Sequence, residues 1–216
     1  PLQMLESWLL DDLNLLKQNQ NYFKTIEITR RIVNKICYPF YRLYDPINSL
    51  HTGIVRGVRL EDIKKRPKIT IPKICNWMGI KENKNLFKSE FMGKKFSRPS
   101  YSFENIAGFD LRSVEVPIGR VFGEKDIEIL ETLLWPFLNT YGYTNKSKNE
   151  ITEKLSKIKP LIGKPLEFEL KLKNQTNFKN IKFKGMDPFN KMHQQFSDAY
   201  HTLTDIGTYP YIIKPL

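Results

Sequence analysis

Cysteine is nearly missing from this chain, which has two in 216 residues, Cys37 and Cys75. They lie far apart, match neither a zinc nor a CxxC spacing, and each falls among apolar residues of a helix-like stretch. That excludes a disulfide framework and reads as two buried thiols in a reducing, cytoplasmic setting. Histidine is scarce too: His51, His193 and His201 are the full set, none has a partner at a telling spacing, and each reads as a surface or packing residue. No apolar run approaches the roughly 18 to 20 residues that span a bilayer. The first residues lack the charged, apolar, small order of a secretion signal. The phosphate-loop pattern GxxxxGK[ST] is also absent, because Gly93-Lys94 and Gly163-Lys164 are not followed by Ser or Thr. No metal-ligand cluster is visible, and no metal is expected.

Positive charge is plentiful. The formal net charge is +12, with 40% apolar residues and 14 Phe and 10 Tyr, enough for one domain with a real core, or for such a domain and an appendage. Residues 144–185 carry eleven Lys against four Glu, a local net of +7, and the rest reads as more moderately basic. Such a field attracts phosphorylated ligands, nucleic acid or acidic membranes without choosing among them.

Apolar spacing gives the elements. Leu2, Leu5, Leu9, Leu13 and Leu16 recur at three or four and predict a first helix; a second is expected over about Ile26–Tyr38. Ile54–Leu60, reading IVRGVRL, is short and β-branched and predicts a buried strand. Thr70 is expected to cap a helix with Ile71, Ile74, Cys75 and Met78 on one face, Pro72 in its first turn and Gly79 closing it. Residues 81–119 read as a long loop. Asp126 begins a strong helix bent at Pro136 and ended by Gly142. Beyond that, Leu166–Lys173 alternates apolar and charged residues and, with Ile181–Lys184, predicts a small hairpin, followed by a helix over Pro188–Leu203. A boundary is expected near residue 145, giving 1–145 and a basic extension, 146–216.

The stretch VRLEDIKKRPKITIPKICNWMGI from Val58 resembles the region of bacterial and cyanobacterial-type sulfotransferases where a strand ending in V-R-[YL]-E-D-L leads through a Pro to a helix ending in [WF]-L-G-I. Counterparts of that family's further landmarks follow in order: GKKFSRPS from Gly93, GFD from Gly108, GRVFGEKD from Gly119 and YGY from Tyr141. PLQMLESW, Pro1 to Trp8, matches the spacing of the family's R-D-P…S-W motif, whose arginine falls two positions ahead of Pro1. The resemblance covers about Pro1–Tyr143. It implies an α/β fold, a P-loop-like parallel sheet with helices, here mostly helical because the N-terminal strands and the 5′-phosphosulfate loop precede Pro1, with a small α+β appendage. It further implies sulfuryl transfer from the donor PAPS (3′-phosphoadenosine 5′-phosphosulfate) to a hydroxyl or amine acceptor, such as a carbohydrate or small metabolite. A chain beginning inside a cofactor motif is expected to be inactive alone.

By the same resemblance Ser7 binds the 3′-phosphate of PAPS or of the product adenosine 3′,5′-bisphosphate. Gly93, Lys94, Lys95 and Arg98 belong to a loop over the nucleotide, although Phe96 and Ser97 replace the usual aromatic pair and Arg98 the usual Gly. The catalytic base is not assignable. Arg59, Glu61 and Asp62 read as anchors of the strand end. The alternative reading is a basic module that grips polyanions or nucleic acid, although no specific nucleic-acid motif is present.

Overall fold

A computed structural model describes residues 2–18, 21–45, 54–88, 114–174 and 187–216, together with 90–91, 94–95, 109, 111 and 183. Among these, α-helices dominate. In chain order they are α1 (Leu2–Gln18), α2 (Tyr22–Tyr44), α3 (Leu60–Lys65), α4 (Pro67–Met78), α5 (Glu124–Leu133), α6 (Trp135–Thr140), α7 (Lys148–Ile158), α8 (Glu167–Lys173) and α9 (Pro188–Asp205). The one sheet among the described residues is a hairpin of two-residue strands, β1 (Glu90–Phe91) and β2 (Lys94–Lys95). The expected α/β parallel sheet is therefore overturned.

Its predicted strand shows why. IVRGVRL has no neighbouring strand among the described residues, and a lone strand leaves its backbone groups to water. Only Gly57 bridges, in parallel to Pro215: its N–H donates to Lys214 O at 2.9 Å and its carbonyl accepts from Leu216 N at 3.0 Å.

The chain forms two compact units, Pro1–Thr52 with Pro117–Ile213, and Gly53–Val116 with Lys214–Leu216. Residues on both sides of position 145 thus lie in the larger unit. Its core is built where α1 packs on α2, and α9 on α2, α5 and α7. Ile28, Ile32, Ile36 and Phe40 form a row four residues apart along α2, all essentially buried, and Phe40 meets Phe196 of α9 at 5.2 Å between ring centroids. Helix α2 begins earlier than its apolar period predicts, where Asn21 caps it, accepting from Lys24 N at 3.1 Å, and it runs on past Tyr38 to Tyr44. Buried Asp12 of α1 pairs with Arg31 at 2.6 Å and Lys35 at 2.8 Å, tying the two helices through charge as well as packing.

The predicted long helix from Asp126 is two helices broken at Leu134, with Pro136 in the first turn of α6, where a missing N–H costs little. Leu166–Lys173 forms a helix rather than a strand. Period two would bury Leu166, Phe168, Leu170 and Leu172 on one face and leave Glu169 in water. Instead Leu170 is half exposed while Phe168, Glu169 and Leu172 are buried, which is helical spacing. Its Leu, Glu and Lys content, with no β-branched residue, already favours helix. Glu167 and Glu169 in its first turn and Lys171 and Lys173 in its last also suit the helix dipole. Ile181, Lys182 and Lys184 of the expected partner strand lie outside the described residues.

In the smaller unit, α4 starts at Pro67 rather than being capped by Thr70, whose hydroxyl donates to Asp62 O at 3.0 Å. Gly79 closes it in the left-handed region at φ 66°, with its N–H shared between Asn76 O and Cys75 O. Nothing lies within 4 Å of a side chain added there, so Gly79→Ala meets only backbone strain. It is expected to cost about 1 kcal/mol in denaturant unfolding, without changing the helical signal of the rest.

Candidate functional site

Ser7 lies in the second turn of α1, and its neighbour Glu6 points the other way, into the protein. Glu6 is fully buried, and its carboxylate accepts backbone N–H groups from Gly119 at 3.1 Å, Val121 at 3.0 Å and Phe122 at 3.1 Å. A buried carboxylate is tolerated only when its lone pairs are used in this way. The consequence is positional: the segment before α5 is held against α1, more than a hundred residues away in sequence, and two of the sequence landmarks, PLQMLESW and GRVFGEKD, meet.

That clamp sets Arg120 beside Ser7. The Arg120 guanidinium donates from Nη2 to Ser7 Oγ at 2.9 Å and to Gln3 O at 3.2 Å, and from Nε to Pro117 O at 3.1 Å. Its Nε is 3.8 Å from Glu6 Oε2. Ser7 Oγ donates to Gln3 O at 2.8 Å. A guanidinium has five N–H donors in a fixed planar fork. The pair on Nη1 makes no hydrogen bond among the described residues, and the side chain is about a quarter exposed. The arrangement is a rigid, partly desolvated cation with donors to spare next to an exposed hydroxyl, suited to an oxyanion such as a phosphate ester.

The rest of GRVFGEKD is structural. Phe122 is buried edge-on against Phe168 at 5.6 Å. Asp126, also buried, accepts Glu167 N and Phe168 N, each at 2.8 Å, and Gly123 N at 3.3 Å, so one carboxylate starts α8 and closes the turn before α5. Asp62 behaves as an anchor too: Arg66 and Arg59 approach its carboxylate, Arg59 at 3.8 Å. Of the loop residues, Lys94 and Lys95 form β2, with backbones paired to Phe91 and Glu90. Gly93 and Arg98 lie outside the described residues, as does His51.

His193 is not isolated. Its Nε2 is 2.7 Å from Oε2 of fully buried Glu169, whose Oε1 is 2.5 Å from Lys173 Nζ; Lys173 also lies 3.7 Å from Asp187. Burial opposes ionisation of Glu169, but the His193 and Lys173 bonds outweigh it and hold the carboxyl below its ordinary value. This knot joins α8 to α9 and occupies both oxygens of the carboxylate. Cys37 and Cys75 are free and buried; burial pushes the Cys37 thiol up to about 11 against the opposing charge of Lys191, so it stays protonated and unreactive.

Arg120 and Glu6 are the residues that sequence reasoning missed. Both had a signal: Glu6 interrupts the apolar face of Leu2, Leu5 and Leu9, and Arg120 sits inside the GRVFGEKD landmark. Among the described residues no group of His, Cys, Asp and Glu could hold a metal ion, and no helix is long and apolar enough to cross a membrane. No protein-family model, curated protein or solved structure matches the chain.

Proposed function

We propose that this chain contributes to a PAPS-dependent sulfotransferase, binding the donor's 3′-phosphate at Ser7 and Arg120 so that the sulfuryl group passes to a hydroxyl-bearing acceptor. The observation that carries the reading is the pair itself: a pinned guanidinium with unused donors beside a hydroxyl, drawn from two segments that both resemble sulfotransferase motifs. Sulfuryl transfer, like phosphoryl transfer, rests on positioning charged groups and stabilising them with fixed cations. Here the role of Ser7 and Arg120 is to fix the nucleotide end of the donor. Glu6 acts only through them.

Titration calorimetry with adenosine 3′,5′-bisphosphate tests the assignment. Arg120→Gln removes a charge-assisted contact of about 1.5–3 kcal/mol, and is expected to weaken binding by roughly 10- to 100-fold. Ser7→Ala, at an exposed position where folding is not at risk, is expected to weaken it by about 3- to 10-fold. Unchanged affinity in both variants, or no binding by the parent chain, sinks the assignment.

A further inference from the structure

The densest positive charge is not in residues 144–185. From Lys64 to Lys88 the chain carries eight Lys and Arg side chains against one carboxylate, Glu82, although Lys65 and Arg66 pair with Glu115 and Asp62 outside that stretch. This stretch lies in the smaller unit and contains α4, whose buried face is Thr70, Ile71 and Cys75. The opposite face is exposed and mixes large apolar side chains with polar ones. Ile69, Lys73, Asn76 and Trp77 recur at helical spacing on it; Ile69 is 59% exposed and Trp77 38%, and Ile80, just beyond the Gly79 cap, is 45%. Lys68, Lys73 and Lys81 flank these residues, are exposed, and pair with no carboxylate among the described residues. Leu60 and Met78 add exposed apolar surface at 49% and 56%.

From this pattern we infer that α4 and its Gly79–Lys81 extension form a docking face for an anionic phospholipid surface. Aliphatic and indole side chains interleaved with lysines match the two layers of such a surface: the apolar groups enter the acyl boundary, and the ammonium groups remain at the phosphates. Basic residues clustered on or beside an amphipathic helix are attracted to the negative potential of an acidic leaflet. Single-stranded nucleic acid shares the charge but needs aromatic faces for stacking. The apolar positions here are mainly Ile, Leu and Met, with Trp77 the lone aromatic among them, so the chemistry favours lipid.

Vesicle flotation of the full chain tests this inference, with phosphatidylcholine alone and with about a third phosphatidylserine. Binding is expected only to the acidic vesicles. The double variant Ile69→Ala/Trp77→Ala and the double variant Lys68→Glu/Lys73→Glu are each expected to weaken it by about tenfold or more, on the order of what the lost contacts supply. Phe23→Ala, an exposed aromatic of the larger unit, leaves binding unchanged. All the substituted side chains are solvent-facing, and circular dichroism checks that each variant is folded. The inference is overturned if binding to neutral vesicles is equal, if the apolar pair has no effect, or if an oligonucleotide binds with the lysine dependence but acidic vesicles do not. It is independent of the Ser7 and Arg120 assignment, which nucleotide titration reads separately.

Discussion

Glu6→Ala is expected to destabilise the larger unit by about 3–5 kcal/mol, through the loss of a buried charged acceptor that no neighbour replaces. Three backbone donors, Gly119, Val121 and Phe122 N–H, converge on this one carboxylate, and Arg120 Nε lies near it. Alanine leaves those N–H groups facing a cavity between α1 and the segment before α5. Water can reach Gly119 and Val121 more readily than Phe122, which keeps the cost below the sum of three charged hydrogen bonds. Glu6→Gln retains one acceptor oxygen but turns an amide N–H₂ toward donors, and is expected to cost about half as much. Denaturant unfolding measures both. Amide exchange gives the local signature: Gly119, Val121 and Phe122 lose protection first, and Arg120 loses its support. Wild-type protection at those three amides in Glu6→Ala would show that the clamp does not hold the segment.

The same clamp shows how far the chain could be read from its letters. Periodicity reported α1, α2 and α9 because each buries one continuous apolar face, and a face with a 3.6-residue period is a local property of sequence. Gly79 was equally legible, since only a left-handed cap makes glycine useful there. What failed needed information from elsewhere in the chain. IVRGVRL has strand-forming side chains, but a strand is completed by its neighbour. Among the described residues the run finds a single bridge, at Gly57. LEFELKLK satisfies period two and period 3.6 alike over so few residues; the burial of Glu169 among His193 and Lys173 resolves it. At the candidate site, only a resemblance in motif spacing singled out Ser7. Arg120 becomes its neighbour only through Glu6, a contact with no trace in local pattern beyond a charge on a greasy face.

The second large effect is expected at Glu169. Glu169→Ala removes the common partner of His193 and Lys173 and is expected to cost about 3 kcal/mol, a fall in Tm of roughly 6–12 °C. Lys173, with its side chain 38% exposed, retains Asp187 at 3.7 Å and the Phe189 ring at 4.7 Å, and loses less than His193, whose side chain is 15% exposed. Removing both members of the tighter pair separates interaction from burial. Glu169→Leu/His193→Leu, which leaves no unpartnered polar group at that contact, is expected to be more stable than Glu169→Ala alone. The sign with pH follows from the depressed carboxyl. A group held below its unfolded value of 4.5 contributes stability that is present above that pH and disappears as the pH falls through the folded-state value. The gap between wild type and Glu169→Ala should therefore narrow in solution more acidic than about pH 5. A gap that does not narrow in solution more acidic than about pH 5 would show that Glu169 is not stabilised as a carboxylate in the folded protein.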